Sequence, residues 1–185
     1  MLCAVAMVTA TVGIGAGGCG GAGGGPATAR TPDYAKALAG APPALAGLYD
    51  EAGRLLPGGA DAFRSRLAGL RGHPVVVSKW ASWCEPCRQE FPWYQRLAAK
   101  LGKRIAFVGV NSNDSTDAAR TFLGEYPVPY PSYTDPGEEI ARLIDATAGF
   151  PATAFYDSHG RLAYTRQGQY PSEAALAAAI RRYAR

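Results

Sequence analysis

Two cysteines stand two residues apart in the run Trp83-Cys84-Glu85-Pro86-Cys87, a spacing that suits thiol–disulfide exchange. A disulfide is exchanged by attack of a thiolate. An oxidoreductase therefore needs one exposed thiol of lowered pKa and a second thiol close enough to resolve the mixed disulfide. Downstream, Phe91, Tyr94, Leu97, Ala98 and Leu101 recur at three and four residues. This predicts a helix from Pro86 to Lys100, kinked at Pro92, with Cys84 just before its N-terminus. At that position the helix dipole and unpaired backbone donors favour an anion, and a cysteine pKa of about 8.5 can fall below about 7.5. Cys87, one turn into the helix, is placed to resolve. Pro86 suits the first turn, where its missing donor costs nothing.

Other uses of the pair are weaker. A structural disulfide would close too small a loop to add much stability through chain entropy. Zinc also accepts a two-residue gap but needs a second pair of ligands, and His73 and His159 lack paired spacing. No cofactor or metal is expected. Of the other cysteines, Cys3 lies in an apolar N-terminal run without charged residues through residue 18, which reads as an export signal. That segment ends Ala16-Gly17-Gly18-Cys19. The ending resembles a bacterial lipoprotein processing site, with Ala16 where Leu is most common, and it implies lipidation of Cys19 and anchoring to the outer face of the cytoplasmic membrane. Plain secretion is the alternative.

The elements that must position the cysteines follow from pattern. Residues 1–19 are read as the export signal, 20–41 as a flexible tether and 42–185 as the working domain. The Gly, Ala, Thr and Pro composition from Gly20 to about Pro32 supports the tether. Leu45, Leu48, Tyr49, Ala52, Leu55 and Leu56 recur at helical spacing, and a short helix is predicted over 61–70. Val75 to Trp80 is a β-branched apolar run suited to a buried central strand. Further strands are predicted at 104–110, 152–156 and 161–165, the last two joined by the hairpin turn Asp157-Ser158-His159-Gly160. Helices are predicted at 115–126, capped by Ser115 or Thr116, at 137–148, and at 172–183. The result is an α/β fold: a mixed central sheet flanked by helices, with an N-terminal helical elaboration.

The segment Val76 to Cys87, continued by Arg88-Gln89-Glu90-Phe91-Pro92, resembles the active-site segment of the TlpA-like branch of the thioredoxin superfamily, and within it the ResA type. The likeness extends over most of residues 73–184 and includes Gly149-Phe150-Pro151-Ala152-Thr153-Ala154-Phe155. It implies a thioredoxin fold in which Pro151 is cis and faces the cysteines. It also implies that the backbone of Phe150 pairs with an extended substrate segment. Trp83, Glu85 and Pro86 complete the expected substrate-binding surface. A trans proline at a strand start is the plainer reading of Pro151. Trp80 and Trp83 are expected to flank the site, with Trp83 exposed, and core packing is the plainer reading of Trp80. Glu90 matches a carboxylate near the cysteine pair. Its charge would raise the Cys84 pKa, and it could move the proton of Cys87; a solvated helix glutamate is the alternative. Lys79 is read either as the salt-bridge partner of Glu90 or as a surface residue.

The chain has 185 residues and a net charge of +4, with basic and acidic residues interspersed, which argues against a nucleic-acid partner. A monomer is expected. The ResA likeness implies reduction of disulfides in exported proteins, namely the haem-attachment cysteines of apocytochrome c, with electrons from a membrane thiol–disulfide carrier. A disulfide-forming oxidase and a metal-delivery protein are the competing readings.

Overall fold

The computed structural model describes residues 31–185. The expected export signal, Cys19 and the part of the expected tether up to residue 30 lie outside the described residues. Among the described residues no helix is long and apolar enough to cross a membrane.

A six-stranded sheet in the order β1-β4-β3-β2-β5-β6 organises the domain. Its strands are β1 (Leu55–Leu56), β2 (Val75–Trp80), β3 (Ala106–Ser112), β4 (Ser132–Asp135), β5 (Ala152–Tyr156) and β6 (Leu162–Gln167). Strands β1, β4, β3 and β2 are parallel, β5 is antiparallel to β2, and β6 is antiparallel to β5. Every residue of β2 is buried, because helices cover both faces of the sheet. Side chains alternate along a strand. Val76 and Trp80 therefore join the core under α4 (Glu85–Leu101), α5 (Thr116–Glu125) and α7 (Glu173–Tyr183). Val75 and Val77 join the core under α2 (Pro43–Tyr49), α3 (Gly59–Gly69) and α6 (Glu139–Leu143).

Trp80 is a core residue, stacked on Phe122 at a ring-centroid distance of 5.0 Å, with its Nε1 donating to Ser132 Oγ at 3.1 Å. That bond reaches across β3 at Gly109, where an added Cβ would come within 2.0 Å of Ser132 Oγ. A side chain at 109 would displace the bond that seats the tryptophan. Ser115 caps α5 by accepting from the Ala118 N–H at 3.2 Å.

Four expectations need correction. The tether does not extend to residue 41: α1 (Tyr34–Leu38) lies against the domain, with Leu38 buried and the Tyr34 hydroxyl donating to the Pro127 carbonyl at 2.9 Å. Leu55 and Leu56 are not helical but form β1, paired with Ser132 and Tyr133. Strand β4 was not expected, since only four residues separate Pro131 from Pro136. The helix expected over 137–148 spans only Glu139–Leu143, and Asp145 just beyond it takes a left-handed conformation at φ 53°.

Candidate active site

Strand β2 delivers the chain to the cysteines, and the β3–α5 loop holds it there. The Asp114 carboxylate accepts from the Ser82 N–H at 2.6 Å, the Ser82 hydroxyl at 2.8 Å and the Asn111 amide at 2.8 Å. Trp83 Nε1 donates to the Asn113 carbonyl at 3.0 Å, and Arg88 donates to the Ser82 carbonyl at 3.1 Å. The Ser82-Trp83 step is thus fixed from both sides. A hydrogen bond to a charged acceptor contributes about 1.5–3 kcal/mol net, and water replaces part of that at the half-buried Asp114. Asp114→Ala is expected to lower stability by about 2 kcal/mol, read as a shifted urea midpoint; an unchanged midpoint would show that the loop needs no such clamp.

Cys84 is the N-cap of α4, and its Sγ accepts from the Cys87 N–H at 3.1 Å. The sulfur sits where a serine or aspartate oxygen would otherwise satisfy a free helix donor. The two cysteines form a disulfide, with Cα atoms 5.2 Å apart. Cys84 is 3% exposed and Cys87 1% exposed, so in this oxidised form the first sulfur is more covered than the sequence suggested. Trp83 is 58% exposed, and Glu85 and Pro86 are also exposed.

The Phe150–Pro151 peptide is cis, the isomer that the family likeness implies. Ala152 pairs with Lys79 near the end of β2, which brings the residues before β5 alongside the cysteine segment. The Phe150 ring meets the Trp83 ring edge-on at 4.8 Å. Pro151 accepts from the Gly168 N–H at 2.8 Å.

Glu90 is 1% exposed and accepts from the Tyr170 N–H at 2.5 Å, so it is not a solvated helix glutamate. Burial pushes its pKa up to about 7, against the opposing pull of the Tyr170 N–H and the Arg166 guanidinium. It lies three residues beyond Cys87, a spacing that places both on one side of the helix.

Lys79 is neither a partner of Glu90 nor a surface residue. It is 0% exposed. The alternation that sends Trp80 toward α4 sends Lys79 to the other face of the sheet, where its Nζ bonds Glu138 Oε1 at 2.8 Å and the Ala146 carbonyl at 2.8 Å. Sequence reasoning missed this role, and it missed Asp114 and Tyr170 as well. Asp114 had a readable signal, a short acidic residue between a predicted strand and a capped helix. Tyr170 acts through its backbone, which no residue type announces.

The Redoxin family model matches residues 56–180. The thiol:disulfide interchange protein HelX of Rhodobacter capsulatus is 39% identical over 122 residues, covering 65% of this chain and 67% of that protein. The thiol-disulfide oxidoreductase ResA of Bacillus subtilis is 28% identical over 100 residues, covering 54% of this chain and 55% of ResA. The chain spans between 51% and 67% of the length of these relatives and of DsbE from Pseudomonas fluorescens. Among solved structures, a thiol:disulfide interchange protein DsbE from Chlorobium tepidum superposes with a TM-score of 0.57 at 33% identity, over 63% of this chain and 83% of that one. The chain belongs to the Redoxin family and is a thiol–disulfide oxidoreductase of thioredoxin fold.

Proposed function

We propose that the protein reduces disulfides in exported proteins, with apocytochrome c as the principal substrate. In this reading it works at the outer face of the cytoplasmic membrane, held there by lipid on Cys19. The observation that carries the site assignment is the placement of Cys84 Sγ at the N-cap of α4, accepting from the Cys87 N–H. An acceptor sulfur at that point is better stabilised as an anion than as a thiol.

The reduced pair then acts in two steps. The Cys84 thiolate attacks one sulfur of the substrate disulfide, forming a mixed disulfide and releasing the other substrate sulfur as a thiolate. Cys87 loses its proton and attacks Cys84 Sγ, which releases the second substrate thiolate and leaves the Cys84–Cys87 disulfide. Glu90 takes the Cys87 proton, a role that suits a buried carboxyl titrating at about 7. Two electrons from a membrane thiol–disulfide carrier return the pair to its reduced form. Trp83, Glu85 and Pro86 form the exposed surface that meets the substrate. No hydrogen bond within the described residues uses the Phe150 backbone, which fits pairing with an extended substrate strand beside Pro151.

Reduced Cys87→Ala protein should accumulate mixed disulfides through Cys84, and cytochrome c precursors should be among the trapped species. Recovery of unrelated exported proteins alone would remove the cytochrome assignment. A redox titration of the wild-type pair tests direction: a value near about −270 mV supports a reductase, and one near about −120 mV would make the protein an oxidase.

A further inference from the structure

A buried ammonium needs partners for its charge and for its three donors. Lys79, among the described residues the one basic side chain buried to this degree, finds them in the segment leading to Pro151. Besides Glu138 and the Ala146 carbonyl, its Nζ lies 3.5 Å from the Gly149 carbonyl and 3.9 Å from the centroid of the Phe150 ring. The Phe150 ring also contacts Trp83, and so touches the ammonium as well as the indole. A cation near an aromatic face is attracted by the ring quadrupole, and more strongly when desolvated. The carbonyl bonds restrain the backbone on both sides of Ala148, just before the cis peptide.

We propose that Lys79 is a positioning residue for protein substrates: from the sheet face opposite Glu90, it sets the Phe150 ring and the backbone beside Pro151 in the docking geometry. Glu138, half-buried at the start of α6, balances its charge. Lys79 touches neither sulfur nor substrate. It therefore governs how an extended polypeptide docks and not how a thiolate attacks. This inference rests on the reading of Phe150 as a docking residue.

The test compares a protein disulfide with a small one. Lys79→Met keeps most of the side-chain length and removes the charge and donors. It should raise the KM for insulin about tenfold, while kcat and the rate with a small aromatic disulfide change less than about twofold. Phe150→Leu should raise the same KM. In the double variant the two effects should overlap rather than multiply, because Lys79 acts through Phe150. Multiplying effects, an unchanged KM, or equal loss on both disulfides would overturn the proposal. If Lys79→Met does not fold, Glu138→Gln serves in its place. That variant should raise the insulin KM about threefold with kcat retained, and no change would count as refutation. Wild-type protein that fails to reduce insulin would end the function reading itself, whereas an active wild type with indifferent variants would end only the role of Lys79.

Discussion

Cys84→Ser is expected to slow disulfide reduction by at least about a thousandfold while leaving the fold in place, whereas Cys87→Ser should still attack once and then stall. The asymmetry follows from the first turn of α4. Glu85 and Pro86 occupy the first two helical positions, and Pro86 has no N–H to offer, so the Cys87 N–H is the donor that meets the Cys84 sulfur. Only Cys84 receives that bond together with the positive end of the helix. Serine is itself a preferred N-cap residue, so the hydroxyl should keep the helix start satisfied. What is lost is the nucleophile, because a serine hydroxyl cannot exchange with a disulfide. Insulin reduction followed by turbidity measures the first effect, and single-turnover thiolate release measures the second. Equal residual rates in the two serine variants would mean that either sulfur can lead, and the N-cap argument would fail.

Much of this site is legible in the residues alone, because its chemistry is carried by short-range pattern. The cysteine pair, the helix it opens and the apolar strand before it are contiguous in residues 75–101. Local propensity and tertiary placement agree there. The same holds for the hairpin around Asp157, whose carboxylate accepts from the His159 and Arg161 N–H groups. What is not legible depends on contacts distant in sequence. Leu55 and Leu56 fit a helical period, yet pairing with Ser132 and Tyr133 makes them a strand. Tyr34 and Leu38 look like the end of a low-complexity tether until Pro127 and the end of α4 are there to receive them. Lys79 shows the limit most clearly. The alternation of β2 is legible, but nothing local indicates that α4 and Glu90 cover the opposite face, or that Glu138 and the segment before Pro151 close over the ammonium.

Glu90→Gln is expected to leave the oxidised protein about as stable as wild type near pH 4 and more stable by about 3 kcal/mol at pH 8. In the unfolded chain the carboxyl releases its proton near its ordinary value of 4.5, whereas in the folded protein burial delays release to about 7. Between those values the folded state binds the extra proton, so wild-type stability falls as pH rises through the window. Below it both states are protonated and the carboxylic acid resembles the amide of glutamine. Above it the folded state must hold a buried carboxylate, and the Tyr170 N–H and Arg166 offset only part of that cost. Glutamine retains a carbonyl for the Tyr170 N–H and never ionises. The oxidised form is the one to use, since cysteines joined in a disulfide do not titrate and the difference between the two proteins isolates position 90. At pH 8 the variant should melt about 10 °C higher than wild type. Parallel stability curves from pH 4 to pH 8 would show that Glu90 keeps an ordinary pKa, and its role as acceptor of the Cys87 proton would then have no basis. A carboxyl that destabilises the fold in its charged form is also one that changes protonation near neutral pH. The same burial that costs stability at pH 8 allows Glu90 to take a proton during resolution and release it afterwards.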